Sequence, residues 1–303
     1  MNELTVIAEN LADADKLLSD SWKLRRAHLT DLADYLRKQI EDSNEGGGDD
    51  EEEQVLTSLY GEFSELIRER GDFPKSPGLA RIVSLFTRME LCRALAKSDP
   101  EKGISLWDKT DPVIAYFQNP YAGRVLQSIT EVLGSGDARA AEDYSDACEG
   151  VSDGRYDFCV MPVESARDGV MSRFVQLIDR YDLFTVLICH LEITDEEYIR
   201  FALLSASPTC LAGADHLQLK VVTGEEQLWE LLFAADQLGA TLAGCRPTLG
   251  DGESESYRLT LRVDEADLAA LSYYLSMGWS RSTMHGFYKQ IVLPLGAEQE
   301  RYL

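Results

Sequence analysis

Two short segments carry the densest chemistry in the chain: Pro162-Val163-Glu164-Ser165 and Tyr198-Ile199-Arg200-Phe201, fewer than forty residues apart. Between them they offer a carboxylate (Glu164), a hydroxyl (Ser165) and a guanidinium (Arg200), groups suited to holding a small polar molecule. A second set is cationic: Arg26 and Arg37, eleven residues apart, with Lys97 farther on. Cations of this kind can clamp carboxylates. The plainer reading of Arg25, Arg26, Arg37 and Lys38 is a solvated helix face, and that of Ile199-Arg200-Phe201 is a core strand.

Composition limits what such sites can hold. At 303 residues and 45% hydrophobic content, the chain has enough apolar material for more than one domain. Its formal net charge of -24 argues against nucleic acid or an anionic membrane as a partner, because both require a basic surface. A site for a dianion would have to gather the few Arg and Lys residues locally. The six cysteines (Cys92, Cys148, Cys159, Cys189, Cys210, Cys245) form no C-x-x-C pair, and no His stands at metal-ligand spacing. Buried free thiols in a reducing compartment are expected, with no metal or cofactor. The acidic stretch from Met1 to Asp20 lacks the features of a signal peptide, and no run of about 18 apolar residues occurs. A cytoplasmic location is expected.

The elements that would position these groups fall into three segments. In residues 1–104, Leu11, Leu18, Trp22, Leu29, Leu32, Leu36 and Ile40 mark one face of a long helix. That helix should stop in the glycine-rich acidic stretch 42–50. A second helix carries Val55, Leu59, Tyr60 and Phe63, and a third carries Ile82, Phe86, Met89, Cys92 and Leu95. The acidic run Asp49–Glu53 reads as a solvated loop and helix start. In residues 111–208, apolar runs at 113–117, 157–163, 184–189 and 201–204 read as strands, and 170–179 as a helix beginning just after Gly169. This series predicts an α/β unit with helices on both sheet faces. In residues 215–296 the order strand (217–221), helix (225–238, capped by Gly239), strand (to Arg246-Pro247), strand (257–263), helix (265–277), strand (284–293) is βαββαβ, a ferredoxin-like arrangement. His190 reads as a packed strand residue, and His28, His216 and His285 have no sequence neighbour that suggests a site.

These segments resemble the bifunctional chorismate mutase/prephenate dehydratase family. The middle segment is similar to one lobe of prephenate dehydratase. There Tyr116-Phe117-Gln118-Asn119-Pro120-Tyr121-Ala122-Gly123-Arg124 resembles the family's Gly-Pro-x-Gly-Ser/Thr loop, and Pro162-Val163-Glu164-Ser165 with Gly169 resembles its Pro-Ile/Val-Glu-Asn-Ser motif. In the family a whole second lobe separates that motif from Thr-Arg-Phe, so the short spacing here implies a truncated dehydratase. The departing hydroxyl's threonine partner is replaced by Ile199. The C-terminal segment resembles an ACT regulatory domain, which binds phenylalanine at a dimer interface. Its helix-start motif falls on Glu226-Gln227-Leu228, its strand motif survives as Gly244-Cys245-Arg246-Pro247, and Gly286-Phe287-Tyr288 resembles its closing Leu-Gly-Ser/Cys-Tyr. The N-terminal helices match the chorismate mutase pattern, with Arg26, Arg37 and Lys97 as candidate catalytic residues and Glu9, Glu51 and Glu52 where cations or an Arg-Glu pair stand in the family.

The resemblance therefore implies a multidomain α and α/β chain: a three-helix region, one α/β lobe and a βαββαβ ACT domain. Its candidate ligand residues are Gly123, Arg124, Glu164, Ser165, Arg200, Leu228, Arg246 and Pro247. The function implied is a homodimeric, non-catalytic regulator or sensor in aromatic amino-acid metabolism that binds an aromatic amino acid. The competing reading is an active enzyme, chorismate mutase ahead of prephenate dehydratase.

Overall fold

The computed structural model describes residues 3–43, 54–55, 57–62, 65, 77–98, 105–222, 225–248, 256–277 and 282–294. The run Asp49–Glu53, the turn after Thr248 and parts of the second helix lie outside these residues. The chain divides into two compact units. One holds residues 1–103, 225–239 and 267–281; the other holds 104–224, 240–266 and 282–303.

The first unit is helical. α1 (Glu3–Ser43) ends at the edge of the glycine-rich stretch, and α2 (Pro77–Ser98) follows. Residues 57–62 are helical as well. Leu29, Ala33 and Leu36 of α1 and Leu85, Met89, Cys92 and Leu95 of α2 are buried, as their three- and four-residue spacing requires. This unit also contains α6 (Glu225–Gln237) and α7 (Leu268–Ser276). The sequence suggests that α7 begins near Glu265, but Asp267 caps it by accepting a hydrogen bond from the Ala270 amide at 3.0 Å, so the helix starts later.

The second unit is built on one ten-stranded mixed sheet. Its elements run β1 (Ser105–Leu106), β2 (Val113–Tyr116), α3 (Ala122–Leu133), β3 (Asp137–Ala140), α4 (Tyr144–Ser152), β4 (Phe158–Ser165), β5 (Gly169–Val170) and α5 (Ser172–Arg180). They continue as β6 (Phe184–Glu192), β7 (Tyr198–Ser205), β8 (Thr209–Cys210), β9 (His216–Val222), β10 (Thr241–Thr248), β11 (Ser256–Arg262) and β12 (Ser282–Leu293). The sheet order is β10-β11-β9-β12-β6-β7-β4-β2-β3, with β5 beside β4, and β1 and β8 form a separate pair.

Helices cover both faces around β2 and β4, as period-two alternation demands. Ile114, Phe158 and Val160 pack with Val125, Leu126 and Ile129 of α3 on one face. Ala115, Cys159 and Met161 pack with Ala147, Cys148 and Val151 of α4 and Ile178 of α5 on the other. The helix placed from Val170, just after Gly169, starts two residues later, at Ser172. Gly169, at φ 65°, turns the chain back so that Gly169 and Val170 pair with Ser165 and Glu164. Five cysteines are buried, but Cys245 is exposed on the edge strand β10. Among the described residues no helix is long and apolar enough to cross a membrane.

At one end, β9 to β12 lie side by side in the order β10-β11-β9-β12. β12 then pairs in parallel with β6, so these four strands and the six-strand set around β4 share one sheet.

Candidate functional site

The two segments with the densest chemistry are direct neighbours. β4 and β7 pair antiparallel, with Glu164 opposite Arg200 in the register. Residues 166–197 between them form β5, α5 and β6, with no separate lobe. Alternation sends Arg200 and Ala202 to one face of β7 and Ile199, Phe201 and Leu203 to the other. Ile199 accordingly packs on the apolar core beside α3, as the core-strand reading requires.

Glu164 is the hub of this face. Its carboxylate accepts a hydrogen bond from Tyr198 Oη at 2.9 Å, from Arg200 Nη1 at 3.3 Å and from Arg246 Nη2 at 3.1 Å. Burial alone would raise its pKa. The Tyr198 hydrogen bond and the charges of Arg200 and Arg246 outweigh that, so Glu164 titrates below the ordinary glutamate value. Arg200 Nε donates to His190 Nδ1 at 3.1 Å, and the imidazole stacks on Tyr198. Reading His190 as mere packing therefore missed a partner of the site, because a cross-strand pair is invisible until register is fixed.

The Glu164–Arg246 bond reports the shape of the sheet. β4 and β10 are six strands apart in the order. In a flat sheet, at about 4.8 Å per strand, that separation would be roughly 29 Å. Their charged groups meet at 3.1 Å, so the sheet rolls and its inner face closes on itself. The roll encloses a cavity of about 540 Å³. Its lining includes Glu164 and Asp179 as carboxylates, and Arg200, Lys220, Arg246 and Arg258 as cations. A chain of net charge -24 thus gathers four basic side chains against two acids in one concavity.

The sequence-derived residues distribute unevenly. Glu164, Arg200, Arg246 and Pro247, taken from three different motifs, all line this cavity. Ser165 does not face it; its hydroxyl accepts from the Asp168 amide at 3.0 Å and closes the turn after β4. Gly123 is exposed in the first turn of α3, and Arg124 donates to the Pro294 carbonyl. Leu228 is half-buried on α6, in the helical unit. Arg26 donates to Glu90 at 2.8 Å, Arg37 donates to the Leu95 carbonyl at 3.4 Å, and Lys97 is exposed at the end of α2. Glu90 also receives Arg93 at 2.7 Å, so Arg26 shares a resident carboxylate.

The histidines without an evident sequence partner have spatial ones. His216 lines the cavity with Nδ1 2.7 Å from Asp215 Oδ1. His285 is buried, 3.9 Å from Asp179, among Arg258, Lys220 and Asp182. Burial first, and then Arg258, hold its pKa below the usual imidazole value, and burial and Arg200 do the same for His190. Both histidines bind a proton more readily unfolded than folded. The stability they contribute is complete above about pH 6.5 and is lost as pH falls from there toward their folded pKa values. Urea denaturation at pH 7.5, 6.5 and 5.5 should show a falling midpoint, and His285→Asn should flatten it. A midpoint constant over that range would contradict this arrangement.

Comparison with solved structures gives matches at low identity. No protein-family model matches the chain, and no curated sequence matches it significantly. Among solved structures the chain is similar to prephenate dehydratase from Streptococcus mutans, at 14% identity and a TM-score of 0.49 over 59% of this chain and 98% of that one. It is also similar to GqqA, described as a novel type of quorum quenching acylase, at 16% identity and a TM-score of 0.45 over 63% and 98%. A prephenate dehydratase in complex with L-Phe from Arthrobacter aurescens aligns at 12% identity and 0.45 over 58% and 89%.

Proposed function

We propose that this chain is a non-catalytic binding protein of prephenate dehydratase type, which holds a small carboxylate of aromatic amino-acid metabolism in the rolled sheet. The observation that carries this reading is the convergence of Glu164, Arg200, Arg246 and Pro247 on one cavity of about 540 Å³. That volume lies within the range of small-molecule sites. An excess of cations over carboxylates in its lining suits a dicarboxylate such as prephenate better than a zwitterion such as phenylalanine.

The non-catalytic part rests on the opposite face of β7. A group that assists loss of hydroxide must reach the substrate, and Ile199 has no polar atom and packs into the core. The chorismate mutase reading would need Arg26 to leave Glu90, to which it is bonded at 2.8 Å. The order β10-β11-β9-β12 supports the ACT-like reading of the C-terminal segment, since a βαββαβ chain with its first and third strands central and adjacent gives this order. Homodimerisation belongs to that reading.

Calorimetric titration with prephenate, phenylalanine, tyrosine and tryptophan tests the proposal. Prephenate is expected to give heat, and Arg246→Gln should weaken its binding about tenfold. Absence of heat with all four ligands would remove the sensing role. Release of phenylpyruvate at stoichiometric enzyme would remove the non-catalytic one.

A further inference from the structure

Three basic residues stand in a single cross-strand row. Arg246 on β10 is directly opposite Arg258 on β11, and Arg258 is directly opposite Lys220 on β9. All three line the same concave face. Like charges directly opposite each other in an antiparallel sheet are destabilising, so a row of three is retained against a cost to the fold. Internal carboxylates answer only two of the three. Glu164 bonds Arg246, and Asp179 bonds Arg258 at 2.5 Å. Lys220 makes no ion pair among the described residues, and Arg258 Nε is buried with no hydrogen-bond partner, on a side chain only 12% exposed. His285 beside them is held toward its neutral form and adds little charge near neutral pH.

We infer that Lys220 and Arg258 form a carboxylate subsite, one end of the ligand's seat in the rolled sheet. An unpartnered buried N–H is costly, and a carboxylate bridging it to the Lys220 ammonium would satisfy both donors and neutralise the row. Arg246 and Arg200 then remain for a second acidic group, so the ligand class is a dicarboxylate on a compact apolar body. This inference rests on the proposed use of the cavity for binding and adds which residues hold the first carboxylate.

The test uses the full chain and three simple probes: phenylsuccinate, 3-phenylpropionate and the neutral 3-phenylpropionamide. Phenylsuccinate should bind most tightly, phenylpropionate more weakly and the amide not measurably. Lys220→Gln, at a half-exposed position that should fold normally, should weaken both acids about tenfold, with Lys220→Arg restoring most of the affinity. Added salt should weaken the acids further. If phenylsuccinate binds and Arg246→Gln weakens it while Lys220→Gln and Arg258→Gln leave it unchanged, the subsite is wrong and the cavity reading stands. If the amide binds as well as the acid, the subsite is likewise wrong. If none of the three probes binds at millimolar concentration, both readings fall.

Discussion

Gly286→Ala is expected to destabilise the protein by about 3 kcal/mol and to lower its Tm by about 10 °C. Gly286 sits on β12 where that strand is paired on both edges, with Gln218 of β9 and Thr185 of β6, and a register irregularity follows in the β6 ladder and precedes in the β9 ladder. A Cβ at this position would lie 2.7 Å from the Thr185 carbonyl oxygen and 2.8 Å from the Thr185 Cβ. These are backbone and near-backbone atoms of a buried central strand, so no side-chain rotation relieves the clash. The junction holds the two halves of the sheet together and therefore sets the roll that brings Arg246 to Glu164. Gly123→Ala is the control. A Cβ there meets nothing within 4 Å, and in the first turn of α3 the change should be neutral or slightly stabilising. Thermal unfolding of both variants checks the claim, and an unchanged Tm for Gly286→Ala would mean that β12 approaches β6 less closely than described.

Glu164→Gln is expected to strengthen binding of an anionic ligand by about tenfold. In the free protein Glu164 satisfies Arg200 and Arg246 and places a negative charge inside the cavity. A ligand carboxylate approaching the same guanidiniums must compete with it. Two like charges about 6 Å apart at an effective dielectric near 20 repel by roughly 2–3 kcal/mol, and screening at a partly open site leaves about half of that. The substitution keeps the shape of the side chain and still accepts the Tyr198 hydrogen bond. Titration of wild type and variant with prephenate decides the matter. A loss of affinity would assign Glu164 a direct role in holding the ligand, for instance at an ammonium group, and would favour a zwitterionic amino acid over a dicarboxylate. Unlike wild type, the variant should lose the part of its acid sensitivity that comes from Glu164. That carboxylate's depressed pKa contributes stability above about pH 4.5 that disappears as pH falls through the folded value.

The strands of this fold were legible where apolar residues form short runs or alternate. Residues 113–117, 157–163, 184–189, 217–221 and 257–263 fall on β2, β4, β6, β9 and β11. β3 was not legible, because Asp137–Ala140 is an exposed edge strand without an apolar residue larger than alanine, set only by its parallel pairing with β2. α4 was equally hidden, since Tyr144–Ser152 contains Gly150, two serines and an aspartate and relies on the Asp143 cap. α3 is hidden because its first residues, Ala122-Gly123-Arg124, resemble the end of a loop motif.

The site was half legible for a related reason. Glu164, Arg200, Arg246 and Pro247 lie within recognisable motifs. Lys220 and Arg258 occupy the polar half of strands whose other half is core, a pattern that by itself signals only a solvated face. What makes them a site is register across three strands and the roll of the sheet, both tertiary properties. The closing Gly286-Phe287-Tyr288, noted in the sequence as a motif ending, proves to have a steric reason of its own.

A crystal structure of the chain grown with saturating prephenate tests the central claim most directly. The prediction is intact prephenate within the rolled sheet, one carboxylate bridging Lys220 and Arg258 Nε and the other facing Arg200 and Arg246. Phenylpyruvate in that density would contradict the non-catalytic reading, and a ligand bound anywhere else would contradict the cavity as its site.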